Sequence, residues 1–216
     1  FMLDMNATNL GHHYITWQIY GFNLQGAGLL PAVERRSSTL LDHQFVQLDP
    51  YQQFNKGDSS GVWNMVTAGG KNYAKIGSNG KPLHTWLLSP LYKIKDQKNL
   101  NLVIEETVKN PEWQNFRIKI SSNYSGGDPD LATWEELLHQ PATEATPDTW
   151  IDLVTKPFSM SKYANQKVVI GFEFINESVA KPVIWEIKGL QMTGQGDAIE
   201  SEKYPVEGPK SVGLKK

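Results

Sequence analysis

A strict two-residue alternation of apolar and polar side chains is the feature that most constrains the fold of this chain. In Phe116–Ser121, one Phe and two Ile alternate with Arg, Lys and Ser, as in a strand that buries one face and exposes the other. The same period occurs at residues 15–19, 99–105, 168–174 and 183–187. Clusters of Gly, Pro, Asn and Asp separate many of these segments, as turns do between short strands. The pattern predicts an all-β protein, a two-sheet antiparallel β-sandwich.

The length of 216 residues suits one large sandwich. We predict a single β-sandwich domain over residues 1–194, made of a lead-in segment at 1–36 and a jelly-roll core at 37–194. After Met192 the apolar periodicity ends, and residues 195–216 are rich in Gly, Pro, Glu and Lys. That composition predicts a linker or tail.

Composition and charge exclude several classes of function. The formal net charge is −2, whereas nucleic-acid-binding domains are usually strongly basic, so no nucleic-acid partner is predicted. Cysteine is absent, which excludes disulfides and thiolate zinc sites. No apolar run approaches the roughly 18 residues that a membrane span requires, so we predict no span.

Six short motifs resemble, in order and spacing, the choice-of-anchor J and cleaved-adhesin modules. They are Trp63, Tyr73-Ala74, Trp86-Leu87-Leu88-Ser89-Pro90, Ser121-Ser122-Asn123-Tyr124, Ala132-Thr133-Trp134-Glu135-Glu136-Leu137 and Val169-Ile170-Gly171-Phe172. The resemblance covers residues 38–194 and implies a jelly-roll sandwich of the galactose-binding-like or MAM-like type. It also implies a secreted or cell-surface bacterial protein, in which a non-catalytic module accompanies an exported enzyme. We therefore expect adjacent domains in the parent protein and a signal peptide that is not in this chain.

The residues show no catalytic constellation. None of the five histidines has the i, i+4 helical spacing of a zinc protease, and the nucleophile elbow and both phosphate-binding glycine motifs are missing. Glu105-Glu106 and Glu135-Glu136 are carboxylate pairs of the kind that hydrolyses glycosidic bonds. Adjacent residues on a strand face opposite sides, however, so a pair of neighbours cannot share one site. We expect no enzyme, with a glycoside hydrolase-like sandwich enzyme as an alternative.

A loop tryptophan is the main candidate for ligand binding. Trp113 lies in a polar turn at residues 110–115, between two clear strands. A ring flanked by Asn, Gln and Glu can stack on a sugar while its neighbours form hydrogen bonds. Tyr51 and Tyr124 are weaker members of the same candidate site; the alternative interpretation is that Trp113 caps the core. These features predict a carbohydrate-binding or adhesive module with a glycan or host-surface protein as partner. A structural accessory domain that packs on a neighbouring exported enzyme domain is the alternative.

Structural calcium is the cofactor that the resemblance suggests. Its candidate oxygen donors are Asn123, Asp128, Asp130 and Glu186. The loop lacks the ligand order of an EF-hand, and the acidic pair that ends the last core strand in the resembling modules is replaced by Lys188 and Gly189. A solvated turn with a helix cap is the favoured interpretation of this loop.

The same loop predicts a short helix. Leu131, Trp134, Leu137 and Leu138 fall at helical spacing after a candidate cap at Asp128, and a capping box of Thr133 and Glu136 is the alternative start.

Overall fold

A computed structural model describes residues 36–56, 61–78, 81–137, 148–177 and 182–205. Strands dominate, which confirms the predicted all-β class. They are β1 (Ser38–His43), β2 (Gln52–Asn55), β3 (Asn64–Ala68), β4 (Lys71–Gly77), β5 (Leu83–Leu88), β6 (Leu91–Lys93), β7 (Lys98–Lys109), β8 (Phe116–Ser121), β9 (Glu135–Leu137), β10 (Trp150–Val154), β11 (Phe158–Ser159), β12 (Lys167–Asn176), β13 (Ile184–Gln195) and β14 (Glu200–Glu202). Three single-turn 3-10 helices occupy Trp113–Asn115, Pro129–Leu131 and Ser161–Tyr163. Within the described ranges, no helix is long and apolar enough to cross a membrane.

The strands form two antiparallel sheets. The first sheet has the order β10-β7-β13-β4-β3, with β1 also paired to β13 and β11 to β7. The second has the order β14-β6-β12-β5-β2, with β8 paired to β12 and β9 to β8. Apart from the consecutive strands β3 and β4, most paired strands come from distant parts of the chain, and every strand pair is antiparallel. This confirms the predicted two-sheet sandwich.

The core lies between the inward faces of the two sheets. Trp185 of β13 is fully buried, with its ring centroid 5.6 Å from that of Trp63, 5.3 Å from Phe116 and 5.9 Å from Phe172. Each large apolar side chain buried in this way stabilises the fold by about 1.5–3 kcal/mol. Glu106 of β7 is also fully buried and accepts a hydrogen bond from the indole Nε1 of Trp185 at 2.5 Å. A polar group is thus accommodated in the core by a hydrogen bond.

A β-bulge in β13 decides which residues of this strand face outward. Ile187 pairs with Glu106 and Gly189 pairs with Glu105, so Lys188 is the extra residue. Without the bulge, the alternation that buries Ile187 would turn Leu190 outward. With it, Leu190 is fully buried. The bulge therefore returns Leu190 to the core, while Lys188 stays on the outer face of the first sheet with Glu186.

A second apolar cluster covers part of the outer face of the second sheet. Trp86 of β5 packs against Trp134 with ring centroids 4.9 Å apart, and Tyr124 lies 5.5 Å from Trp134. The indole Nε1 of Trp134 donates a hydrogen bond to the Pro129 carbonyl at 2.8 Å. The segment between β8 and β9 is thereby fastened over this sheet.

The helix predicted around residues 131–138 is wrong. One 3-10 turn forms at Pro129–Leu131, where the Asp128 carboxylate caps the Asp130 amide at 3.0 Å. The chain then enters β9, and Leu137 pairs with Ile118 of β8 and is buried. The edge of β8 pairs with β9 at Ile118–Ile120, and this backbone pairing outweighs local helical spacing. Leu138 lies outside the described residues.

The sandwich continues past residue 194, where the predicted linker or tail begins. β13 runs to Gln195 and β14 pairs with β6. Ile199 and Tyr204 are buried, and the Tyr204 hydroxyl donates a hydrogen bond to the Ser89 carbonyl. Residues 206–216 lie outside the described residues, as do almost all of the predicted lead-in segment and the strand predicted at 15–19.

Candidate ligand-binding groove

The three aromatic residues predicted to bind a ligand are mostly packed into the protein. Trp113 is half-buried and lies edge-on to Phe116 with ring centroids 6.1 Å apart, as expected for a cap on the core. Tyr51 is buried, and its hydroxyl lies 3.2 Å from that of Tyr92. Tyr124 is buried and donates a hydrogen bond to the Gly127 carbonyl at 2.8 Å. The structure does not bring these three rings together.

The predicted calcium donors are divided between the two sheets. Asn123 Oδ1 accepts hydrogen bonds from the Ser121 hydroxyl and the Thr133 amide, both at 2.9 Å. Asp128 caps the following turn, and Asp130 forms an ion pair with Lys56. Glu186 lies on β13 of the first sheet, 3.2 Å from Lys75 Nζ. Within the described ranges, no three His, Cys, Asp or Glu side chains form a group that could hold a metal, and calcium binding stays a prediction.

The two candidate glutamate pairs lie on different sheets. Glu105 is exposed and Glu106 is buried in the core of the first sheet. Glu135, on β9 of the second sheet, forms an ion pair with Lys162 and accepts a hydrogen bond from the Tyr163 hydroxyl at 2.9 Å. These two partners lower the pKa of the Glu135 carboxyl. The pairs therefore do not form one cleft.

A groove of about 470 Å³ crosses the outer face of the first sheet. We call it the Trp150 groove, and its principal lining residues are Val66, Tyr73, Lys75, Thr107, Trp150, Asp152, Glu186 and Lys188. Strand register explains why these residues meet. Asp152 of β10 pairs with Thr107 of β7, Thr107 with Glu186 of β13, and Glu186 with Lys75 of β4. Residues paired in this way share one face of a sheet.

Trp150 is the most exposed tryptophan in the described part of the chain, with 47% of its surface accessible. The Lys75 Nζ atom lies 5.7 Å from the centroid of its ring. This distance is within the range of a cation–π interaction, which restricts the orientation of the ring. The alternation at 150–154 directs Trp150 and Asp152 outward and Ile151 and Leu153 inward. The prediction from sequence missed Trp150. The alternation of residues at 150–154, which puts an indole on the polar face of a strand, was the signal that could have indicated it.

The charged groups of the groove are held by one another. Asp152 Oδ1 accepts hydrogen bonds from Lys188 Nζ at 2.5 Å and from the Thr107 hydroxyl. These two hydrogen bonds, the one from Lys188 first, lower the pKa of the Asp152 carboxyl. Lys188 Nζ also lies 5.8 Å from the centroid of the Tyr73 ring. The groove thus presents a carboxylate, ammonium groups and an exposed ring in fixed positions on rigid strands.

Comparisons with known proteins show similarity at the level of the fold. No protein-family model matches the chain, and no curated protein matches it. Among solved structures, the chain is similar to a cleaved adhesin domain of Lys-gingipain from Porphyromonas gingivalis, with 12% identity and a TM-score of 0.47, covering 74% of this chain and 99% of that one. It is similar to the CBM22-1 xylan-binding domain of Xyn10C from Paenibacillus barcinonensis, with 13% identity and a TM-score of 0.41, covering 74% and 96%. It is also similar to the glycoside hydrolase domain of Endo-D from Streptococcus pneumoniae, with 16% identity and a TM-score of 0.41, covering 66% and 21%.

Proposed function

We propose that this chain is a non-catalytic carbohydrate-binding module that uses the Trp150 groove. The observation that carries the proposal is the exposed indole of Trp150 beside Asp152 and Lys188 on an open sheet face. A sugar ring has a flat face of C–H groups and a rim of hydroxyls. The first stacks on an indole, and the second exchanges hydrogen bonds with charged side chains.

The protonation state of Asp152 suits this role. Because Lys188 and Thr107 lower its pKa, Asp152 is a carboxylate at neutral pH and accepts hydrogen bonds from hydroxyl groups. Lys188 and Lys75 supply donors on the same face. Since these groups are held on strands and not on loops, little conformational entropy is lost when a ligand binds.

The groove also holds two carboxylates, and their surroundings favour binding over hydrolysis. Asp152 and Glu186 flank Thr107 from neighbouring strands. A glycosidase needs one of its two carboxyl groups as a general acid with a raised pKa. Here the pKa of Asp152 is lowered, and Glu186 forms an ion pair with Lys75 at 3.2 Å. Asp152 therefore does not have the environment of a general acid, and the Glu186 carboxylate already has a cationic partner.

The test compares Trp150→Ala with Val154→Ala. Val154 is 65% exposed on the same strand and lies outside the groove lining, which makes it a matched control. A glycan array identifies the tightest ligand, and calorimetry then measures its dissociation constant. Loss of a central aromatic contact is expected to cost about 2 kcal/mol, or about 30-fold in affinity. Val154→Ala is expected to bind like the wild type.

Three results would contradict the proposal. The first is that the wild type binds no glycan on the array. The second is that Trp150→Ala retains wild-type affinity with an unchanged melting temperature. The third is that the purified chain releases reducing sugar from the glycan that it binds. The last result would assign the chain to the alternative class of sandwich hydrolases.

The proposal includes an exported or cell-surface location. Polysaccharides and host-surface glycans are ligands that lie outside the cell, and the resemblance in the sequence implies the same location. Detection of the native protein in the culture medium or at the cell surface by immunoblotting is the expected result. Confinement of the native protein to the cytosolic fraction would contradict this part of the proposal.

A further inference from the structure

A second cavity adjoins the Trp150 groove where β3 and β4 of the first sheet meet the start of β5. It has a volume of about 460 Å³ and shares Val66 and Lys75 with the groove. Its other principal lining residues are Gly61, Val62, Gly77, Lys81, Leu83 and Ile184. The two spaces are therefore neighbours, separated by no more than the side chains that they share.

The register of the first sheet places the two cavities along one line across the strands. Trp150 pairs with Lys109, Lys109 with Ile184, and Ile184 with Gly77. Three strand spacings separate the backbone of Trp150 from the backbone of Gly77, which corresponds to about 14 Å. This distance exceeds the width of a single sugar ring, so the combined site suits a chain of linked sugars.

Gly77 sets the depth of the second cavity. Tyr73, Lys75 and Gly77 alternate on the outer face of β4, and Gly77 lines the cavity. A Cβ atom at Gly77 would lie 3.4 Å from Ile184 Cγ1 and 3.4 Å from the Val183 carbonyl oxygen, which is ordinary van der Waals contact. A Cβ atom therefore fits the backbone here, and a side chain at this position would fill space that a ligand could occupy.

The balance of charge in the combined site is positive. Its carboxylates already face lysines, since Asp152 pairs with Lys188 at 2.5 Å and Glu186 with Lys75 at 3.2 Å. Lys81 is an exposed side chain of the second cavity, and it forms no ion pair with any residue in the described part of the chain. An anionic group on the ligand would form an ion pair with this exposed ammonium group.

We propose that the two cavities form one continuous site for an elongated acidic oligosaccharide, with a sugar stacked on Trp150 and an anionic group bound to Lys81. This inference rests on the proposed carbohydrate-binding function and specifies its ligand class. The anionic group is a carboxylate or a sulfate, and the choice of oligosaccharides in the test separates these two sources.

The test measures binding of four probes by isothermal titration calorimetry at low and at physiological ionic strength. The probes are a galacturonic acid hexamer, its fully methyl-esterified form, the galacturonic acid dimer, and a sulfated galactan hexamer. The wild type is expected to bind at least one anionic hexamer about tenfold more tightly than the uncharged ester, with a smaller preference at higher salt. A hexamer is also expected to bind more tightly than the dimer.

Two variants probe the second cavity. Lys81→Gln is expected to reduce the preference for the anionic hexamer to less than about threefold and to leave binding of the ester unchanged. Gly77→Val is expected to weaken hexamer binding about tenfold and to leave dimer binding unchanged. Lys98→Gln removes an exposed lysine elsewhere on the same sheet and serves as the matched charge control. Melting temperatures establish that each variant is folded.

The outcomes separate this inference from the proposed function. The inference would be overturned if the wild type preferred the ester or did not distinguish the probes. It would also be overturned if Lys81→Gln kept the wild-type preference for the anionic hexamer, or if Lys98→Gln lost as much of this preference as Lys81→Gln. Equal loss of hexamer and dimer binding in Gly77→Val would also overturn it. If neutral glycans still bind in a manner that depends on Trp150, the proposed function stands. If the wild type binds no glycan at all, both fail.

Discussion

Gly171 occupies a position in the second sheet where even one additional carbon atom has no space. It pairs with Leu88 of β5 and Lys119 of β8, and it lies under the Trp86–Trp134 ring pair. A Cβ atom at Gly171 would lie 3.0 Å from Cζ3 of Trp134 and 3.0 Å from Cζ3 of Trp86. Optimal carbon–carbon contacts are about 3.5–4.0 Å, so both contacts would be repulsive.

The rings cannot easily move away. Trp86 is only 1% exposed, and the indole of Trp134 is held by its hydrogen bond to the Pro129 carbonyl at 2.8 Å. Overpacking of this kind typically costs about 1–3 kcal/mol. Replacing Gly by Ala also reduces the entropy of the unfolded chain, which offsets about 0.4–1 kcal/mol. We therefore expect Gly171→Ala to lower the free energy of unfolding by about 1–2 kcal/mol and the melting temperature by about 2–8 °C.

Urea denaturation and calorimetry measure this effect, with Gly189→Ala as the control. Gly189 also lies in a long central strand, but a Cβ atom there would have the His43 carbonyl oxygen as its nearest neighbour, at 3.5 Å. Its replacement is therefore expected to change stability by less than about 0.5 kcal/mol. Trp134→Phe supplies a smaller ring and is expected to reduce the cost of Gly171→Ala in a double-mutant cycle. The steric argument would be refuted if Gly171→Ala had the same free energy of unfolding as the wild type. It would also be refuted if Gly171→Ala lowered the free energy of unfolding equally in the Trp134→Phe background.

Two further predictions concern buried polar groups. Burial raises the pKa of Tyr92 and of Tyr124 to about 12, compared with a pKa of about 10 in the unfolded chain. The stability that these two neutral hydroxyls contribute is therefore fully present below pH 10 and is lost as the pH rises toward 12. Tyr92→Phe should reduce this loss in urea midpoints measured from pH 8 to 12, and an unchanged loss would contradict the assignment. Glu106→Ala removes the hydrogen-bond partner of Trp185 Nε1 and should cost about 3 kcal/mol, whereas Glu106→Gln should cost less; equal costs in urea denaturation would refute this role.

Much of the fold could be predicted from the sequence because strand periodicity is a local property. The alternation at residues 168–174 and 183–187 corresponds to β12 and β13, and that at 99–105 lies within β7. Trp185 is buried on the inward face of its strand, as its place in the alternation at 183–187 indicates. Each of these conclusions depends only on which face of a strand a residue occupies.

The candidate site could not be predicted in this way. Trp113 lies in a polar turn, yet its ring packs against Phe116, because the end of the core is close enough to receive it. Trp150 lies in a strand, yet it is exposed because β10 is an edge strand whose outer face is open. The alternation at residues 150–154 indicates the polar face of a strand for Trp150, but only the arrangement of the sheet shows that this face is open.

The sequence by itself determined the class of fold, since a two-residue period stabilises only pleated strands that bury one face. The tertiary structure alone decided which side chains meet across the first sheet. Asp152, Thr107, Glu186 and Lys75 come from four strands that are distant in the chain, and antiparallel register places them in one row. The bulge at Lys188 returns the following Leu190 to the core. Register and bulges arise from pairing between whole strands, and no local pattern specifies them.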